Sequence, residues 1–316
     1  MSNLKLLYPV HTPDKRLLLP AGTVLSEETM DALISSSKDE SYRASSVQIS
    51  SSIKKDLVNF ISQPPYHVIF SDQEKISDLF NLLDSVNIVI PVLQSLDYFK
   101  QYDLLTYRHI LVVSAVSTLL AKELLSDHKG LIQEAAIAPP AHDFGKICVP
   151  LQILNKTDPL TRSELSILRH HPVAGYVLLS YYLRDHQSLA VRVARDHHER
   201  RDGSGYPRGI RLMDPMVEIV AVCDVYDALI SSRPYRPISY DNRTALEEIT
   251  SMAERNQIRW EAVKALVACN RKAKPNFTEC EVSLEKRGVP PPGNVYGVIS
   301  DEKSPLPDAN DIKKVN

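Results

Sequence analysis

Cysteine is scarce in this 316-residue sequence, and its four cysteines are scattered: Cys148, Cys223, Cys269 and Cys280. No two of them form a Cys-x-x-Cys pair, which argues against a zinc ribbon or a disulfide framework. Cys148 and Cys223 have apolar neighbours in the sequence. We therefore expect them to be small core residues rather than ligands or redox groups.

Long apolar runs and a strong charge of either sign are also missing. No apolar run approaches about 18 residues, so the sequence predicts no membrane-spanning segment. The N-terminus has no apolar core followed by small residues, so we expect no secretory signal and a cytoplasmic location. The formal net charge is −2, which gives no reason to expect a nucleic-acid polymer as a partner.

The composition that is present is typical of a soluble globular protein, and the length allows two domains. Short apolar runs broken by proline and glycine over residues 1–25, followed by helical patterns, predict a small α+β accessory domain over residues 1–95. Apolar spacing over residues 100–126 and 215–231 predicts long helices, so we expect a mainly α fold. A helical domain over residues 96–273 and a Pro-rich extended tail over residues 274–316 would complete the chain.

Two motifs carry the chemistry. His197 and His198 stand next to each other, followed by an acidic residue and a glycine-rich turn, and His142 precedes Asp143 in AHDFGK. Neutral imidazole is the commonest metal ligand in proteins, and a glycine-rich turn lets the backbone approach a ligand closely. By themselves these residues leave two alternatives open, a metal site or surface histidines at a helix end.

The motifs AHDFGK, HHERRDGSGYPRG and CDVYDALISSRPYRP, in this order, resemble the HD-GYP family, a branch of the HD metal-dependent phosphohydrolases. The resemblance covers roughly residues 98–240. It implies a helical bundle of the HD type. It also implies an enzyme, a metal-dependent phosphodiesterase that hydrolyses cyclic di-GMP in bacterial second-messenger signalling.

The resemblance further implies a site with two divalent metal ions that share one bridging carboxylate. The implied ligands are His109, His142, Asp143 and Asp224 for the first ion, and Asp143, His171, His197 and His198 for the second. Because the ligands mix nitrogen and oxygen, iron or manganese is favoured over zinc or nickel. We expect His170 to face away from the ions, since neighbours on a helix point about 100° apart.

Other residues are implied to act on the substrate. Asp143 and Lys146 would be catalytic, with a water between the two ions attacking phosphorus. Lys146 and Arg233 would meet the phosphoryl oxygens, and Gly205 and Tyr206 belong to the signature loop at the substrate. We expect Asp227 to orient a ligand histidine.

The sequence departs from the family in three places, which leaves the function open. Leu105 replaces the usual tyrosine or glutamate, so we expect two metal ions rather than three, and residues 212–216 and 256–260 also diverge. Three hypotheses follow: a cyclic di-GMP phosphodiesterase, a phosphohydrolase of another nucleotide, or a catalytically weak or inactive module that binds cyclic di-GMP or a signalling protein. A homodimer is compatible with each.

Overall fold

Residues 4–37, 46–47, 50–125, 129–232 and 238–291 are described in the computed structural model, in which most of the chain is α-helical. The prediction of a mainly α fold with a small strand-containing N-terminal region is confirmed. Arg233, implied above to contact substrate phosphate, lies outside the described residues.

The N-terminal region combines short strands with amphipathic helices. Ser26 caps the first helix by accepting a hydrogen bond from the backbone N–H of Thr29, as the sequence predicts. Both strand pairs are antiparallel, β1 with β2 and β3 with β4. The elements are β1 (Val10–His11), β2 (Leu17–Leu19), α1 (Glu27–Ser36), β3 (Ser46–Val47), α2 (Ser51–Ile61), α3 (Tyr66–Ile69), α4 (Gln73–Ser85) and β4 (Ile88–Val89).

A helical bundle follows. Its helices are α5 (Ile90–Tyr102), α6 (Leu104–Leu124), α7 (Lys129–Ile137), α8 (Leu151–Leu154), α9 (Arg162–Leu168), α10 (His171–Leu183), α11 (Leu189–Asp196), α12 (Pro215–Ile230), α13 (Asn242–Glu254) and α14 (Trp260–Cys269). Two 3₁₀ segments, Pro139–Ala141 and Phe144–Cys148, lie between α7 and α8.

Helices α6 and α12 pack against each other at the centre of the bundle. By length and composition alone, α6 would be able to cross a membrane. However, 83% of its most apolar stretch is buried inside the protein, so it is a core helix here. Its apolar faces are covered by α5, α7, α12 and α14.

Proline residues end or interrupt helices next to the predicted ligands. Helix α7 ends at Ile137, just before Pro139 and Pro140, because proline lacks the backbone donor and clashes with the preceding turn. Residues 162–183, whose apolar pattern alone would predict one helix, form two. The chain breaks at Arg169–His170, and a new helix starts at His171 with Pro172 in its first turn.

The N-terminal region and the helical bundle share one continuous hydrophobic core. Leu6, Met30 and Tyr66 belong to the same buried cluster as the residues of α6 and α12. Helix α1 packs on α10, and α2 packs on α6. The domain boundary near residue 95 therefore stays a prediction.

The described part of the predicted tail packs against the bundle. The Lys274 ammonium donates hydrogen bonds to the carbonyl oxygens of Val68, Ile69 and Cys269, the last two at 3.1 and 2.5 Å. Farther on, the Glu247 carboxylate accepts from the backbone N–H of Gly288 at 2.7 Å. Residues 274–291 thus join α3, α13 and α14.

Two glycines set the distance between the 3₁₀ helix Phe144–Cys148 and α10. A Cβ atom on Gly145 would lie 1.9 Å from the carbonyl oxygen of His171 and 2.4 Å from the backbone nitrogen of Gly175. No side chain fits at this distance. The contact holds Asp143 and His171, which flank it in sequence, close together.

We predict that Gly145→Ala destabilises the protein by about 3 kcal/mol, because the added methyl group forces these two backbones apart. Urea denaturation measures the change. The matched control is Gly130→Ala on the exposed side of α7, where an added Cβ has no neighbour within 4 Å. That change should stabilise the protein by up to about 1 kcal/mol. Equal midpoints for Gly145→Ala and the parent protein would contradict the close approach.

Candidate metal centre

Seven side chains from distant parts of the chain converge inside the bundle. Each comes from a helix end, a central helix or the junction of the two 3₁₀ segments, and all but the partly buried His198 are buried. The seven are His109 on α6, His142 and Asp143 between the 3₁₀ segments, His171 at the start of α10, His197 and His198 after α11, and Asp224 on α12. The structure thus brings together the side chains that the family resemblance implies as ligands.

These side chains form two groups with Asp143 between them. Within each group, His109–His142–Asp224 and His171–His197–His198, the potential ligand atoms lie within 4.8 Å of one another. Asp143 Oδ2 lies 3.4 Å from His142 Nε2 and 3.5 Å from His109 Nε2. Its other oxygen, Oδ1, lies 3.3 Å from His171 Nε2. One carboxylate therefore faces both groups.

Backbone carbonyls fix the orientation of three of the histidines. The Nδ1 atom of His142 lies 2.7 Å from the carbonyl oxygen of Pro139, and that of His171 lies 2.7 Å from the carbonyl oxygen of Leu168. His197 Nδ1 lies 3.0 Å from the Val193 carbonyl. Since a carbonyl only accepts, each Nδ1 carries the proton, and each Nε2 presents a lone pair to the centre.

These lone pairs face one another. His171 Nε2 lies 3.3 Å from His197 Nε2 and 3.2 Å from the corresponding atom of His198. Burial lowers the pKa of His171 to about 3 and that of His197 to about 4, so both are neutral at pH 7. Facing lone pairs repel unless a cation shares them. The donor set therefore fits divalent cations, which take neutral imidazole and carboxylate as ligands.

The acidic residues of the centre stay ionised although they are buried. Burial acts to raise the pKa of Asp143, but the Lys146 ammonium at 2.6 Å and the neighbouring histidines hold it well below its usual range. Burial opposes ionisation of Asp224 in the same way. Interactions with His109, whose Nε2 lies 3.1 Å from Asp224, and with His198 keep the pKa of Asp224 well below its usual range.

Asp227 lies behind His109, where the sequence places it. Its Oδ2 is 2.6 Å from His109 Nδ1, so His109 also presents Nε2 to the centre. The hydroxyl of Tyr66, on α3, donates to the other oxygen of Asp227. Nothing in the sequence indicates this role for Tyr66. Its sequence neighbours form no motif, and Asp227 follows 161 residues later in the chain.

The signature loop lies against His198. The Tyr206 ring stacks on the His198 ring, with centroids 4.6 Å apart and planes at 19°. The Arg169 guanidinium lies over the Tyr206 ring, 5.3 Å from its centroid. A Cβ on Gly205 would lie 2.4 Å from the His198 carbonyl oxygen, so the loop needs glycine there.

Glu199, rather than Asp202, braces this loop. Its carboxylate is fully buried and accepts hydrogen bonds from the backbone N–H groups of Arg208, at 2.6 Å, and Ile210, at 3.1 Å. Asp202, by contrast, is exposed, and its carboxylate accepts hydrogen bonds from the backbone N–H and the hydroxyl of Ser204. The one sequence feature that could have indicated this role is the position of Glu199 directly after His197 and His198.

A cleft of about 520 Å³ opens beside the loop, between the N-terminal segment and the start of α9 and α10. Four cationic side chains line it: Lys5, Arg162, Arg169 and Arg208. His170 also lines it; this residue is buried and lies edge-on to Tyr8, with ring centroids 5.4 Å apart. Because Tyr206 contributes to the lining, its ring connects the cleft with His198.

Residues 91–258 match the HD domain family, and the chain belongs to that family. The family membership predicted from the motifs is thereby confirmed. The names of the relatives below agree with the HD-GYP branch of that family.

Three curated relatives are phosphodiesterases by name. A cyclic di-GMP phosphodiesterase of Pseudomonas aeruginosa is 42% identical over 167 residues, which is 52% of this chain and 39% of that protein. A cyclic di-GMP phosphodiesterase of Thermotoga maritima is 38% identical over 148 residues, 46% of this chain and 40% of that protein. A 3′3′-cGAMP-specific phosphodiesterase of Vibrio cholerae is 39% identical over 137 residues, 42% of this chain and 30% of that protein. The chain thus spans two fifths or less of the length of these relatives.

We predict that Glu199→Ala loosens the signature loop, because two backbone N–H groups lose their acceptor at a cost of about 1–3 kcal/mol. Hydrogen exchange should show faster exchange at Arg208 and Ile210 by about tenfold or more. Asp202→Ala, in the same loop, is the control and should leave those two amides protected. Unchanged exchange in Glu199→Ala would contradict the bracing role.

Proposed function

We propose that this protein is a metal-dependent phosphodiesterase that hydrolyses cyclic di-GMP, acting in the bacterial cytoplasm in second-messenger signalling. The observation that carries the proposal is the Asp143 carboxylate, which presents one oxygen to each of two buried histidine groups. Support for the substrate comes from relatives that are named cyclic di-GMP phosphodiesterases.

The ligand roles follow the two groups. His109, His142 and Asp224 would hold one divalent cation, His171, His197 and His198 would hold the other, and Asp143 would contribute to both. Iron or manganese suits this mixture of nitrogen and oxygen donors. When bound, the two cations supply a water that ionises near neutral pH and charge that stabilises the phosphoryl group during in-line displacement.

The surrounding residues orient the substrate and balance its charge. Lys146 lies at the centre, 2.6 Å from Asp143, where its ammonium can pair with a phosphoryl oxygen. Arg233 is proposed for the same task from the sequence motif alone. Tyr206, stacked on His198, offers an aromatic face at the entrance, and Gly205 lets the loop approach the centre.

The basic cleft provides a place for the other half of a cyclic dinucleotide. With one phosphodiester at the metal centre, the second nucleotide would lie past Tyr206 and bring its phosphate to the cleft. Arg162 and Arg169 on its wall can pair with that phosphate. A volume of about 520 Å³ lies within the range of small-molecule sites.

A second candidate substrate is a mixed cyclic dinucleotide, since one relative is named a 3′3′-cGAMP-specific phosphodiesterase. The metal centre would serve either substrate, because both contain the same phosphodiester linkage. Leu105, at the first turn of α6, offers no polar atom, which favours two cations over three. Signalling-protein partners and a homodimer stay predictions.

We predict that protein purified without oxygen contains about two divalent cations per chain and converts cyclic di-GMP to a linear product. Chromatography measures turnover, and elemental analysis of the same sample measures metal. Asp143→Asn should lower turnover by about 10³-fold or more, because it removes the shared carboxylate charge. His67→Ala, an exposed histidine outside both groups, is the matched control and should change neither quantity.

Each contrary result has its own meaning. Two cations without turnover of either cyclic dinucleotide would contradict the enzymatic proposal and favour a binding module. Turnover of cGAMP alone would contradict the proposed substrate but not the reaction. Metal-free protein that binds no added Fe²⁺ or Mn²⁺ would contradict the metal centre itself.

We also predict that Arg169→Ala raises the KM for cyclic di-GMP by about fivefold and leaves kcat nearly unchanged. The reason is that a partly solvated ion pair contributes up to about 1 kcal/mol, equally in the ground and transition states. Lys272→Ala removes an exposed cation outside the cleft and should change neither constant. A fall in kcat without a change in KM would contradict the role given to the cleft.

A further inference from the structure

Tyr66 belongs to the N-terminal region, yet it reaches the layer behind the metal centre. It is fully buried at the start of α3, ahead of the part of the chain that matches the HD family. Its hydroxyl donates to Asp227 Oδ1, and Asp227 Oδ2 lies 2.6 Å from His109 Nδ1. One carboxylate thus joins an N-terminal tyrosine to a histidine of the centre.

The orientation of the Asp227 carboxylate fixes the orientation of the His109 ring, because Asp227 Oδ2 accepts the hydrogen bond from His109 Nδ1. Asp227 is 1% exposed, and a buried carboxylate needs hydrogen-bond donors or cations around it. Ser231 donates to Oδ1 at 3.0 Å, and the Arg108 guanidinium lies 3.7 Å from the same oxygen. Both of these residues belong to the HD-family part of the chain, whereas Tyr66 brings a donor from outside it.

The tyrosine is a rigid donor. Burial and the neighbouring Asp227 charge raise the pKa of Tyr66 well above its usual range, so the hydroxyl keeps its proton. The Arg108 guanidinium lies over the Tyr66 ring, 5.2 Å from the centroid, and the Tyr226 ring meets it edge-on at 6.3 Å. The ring therefore has little freedom to withdraw its hydrogen bond while α3 stays in position.

Helix α3 is itself held from the other side. Its last carbonyl oxygens, on Val68 and Ile69, accept hydrogen bonds from the Lys274 ammonium, which also binds the end of α14 through Cys269. Any displacement of α3 would change both this contact and the bond from Tyr66 to Asp227. The position of α3 in the N-terminal region is thus coupled to the orientation of His109 through Tyr66 and Asp227.

From these contacts we propose that Tyr66 is a positioning residue through which the N-terminal region sets the cation affinity of the His109–His142–Asp224 group. This inference depends on the proposed metal centre. A ligand histidine whose Nδ1 partner is fixed presents Nε2 at one position, and loss of such a supporting residue lowers metal affinity about 10- to 100-fold. An N-terminal rearrangement that moves α3 would weaken cation binding in the same way.

The test is a Mn²⁺ titration of the metal-stripped 316-residue protein, in which electron paramagnetic resonance measures the free Mn²⁺. Tyr66→Phe keeps the ring and removes the hydroxyl, so it should weaken one of two Mn²⁺ sites by about tenfold and leave the other unchanged. Asp227→Asn should weaken the same site at least as much. Tyr226→Phe is the matched control, since this buried hydroxyl bonds to Asn242 and Asn270 instead, and it should leave both sites unchanged.

A second variant covers the case in which Tyr66→Phe does not fold. Lys274→Met releases the end of α3 without touching the carboxylate, and it should weaken the same Mn²⁺ site to a smaller degree. If folded Tyr66→Phe binds both Mn²⁺ ions with the affinities of the parent protein, the inference is overturned while the proposed function stands. If the parent protein binds no Mn²⁺ or Fe²⁺, both are overturned.

Discussion

Asp143 has to stay ionised in a place where burial opposes its charge, and the geometry of the centre depends on how the protein meets that requirement. The Lys146 ammonium supports one oxygen, and histidine nitrogens surround both. The 3₁₀ helix after Asp143 lies so close to α10 that only glycine fits at position 145, and this brings Asp143 close to His171. The broken helix before His171 and the end of α11 place the Nε2 atoms of His171 and His197 at 3.3 and 4.0 Å from the same carboxylate. These local irregularities of the backbone therefore serve one buried charge.

Much of the fold and of the centre could be predicted because the signals are local. Apolar spacing marks α6 and α12, and Pro139 and Pro140 mark the end of α7. The three contiguous motifs contain five of the seven converging side chains. The ligand roles themselves stay predictions. The break before His171 was also visible in principle, because Pro172 cannot continue a helix from the preceding turn.

What escaped prediction depends on contacts between distant residues. Tyr66 and Asp227 are 161 residues apart, and no periodicity or motif connects them. Glu199 and Asp202 are acidic residues three positions apart, and only the path of the loop decides which one turns inward. The shared core of the N-terminal region and the bundle also could not be read from the sequence, and the domain boundary near residue 95 stays a prediction. These features are set by tertiary packing, which overrides the local pattern.

The ion pair between Lys146 and Asp143 has a consequence for the metal-free protein. The Lys146 ammonium is a counter-ion supplied by the chain itself. Asp143 is therefore not an isolated buried charge when no external cation is bound. An incoming cation competes with an internal ammonium rather than filling a void.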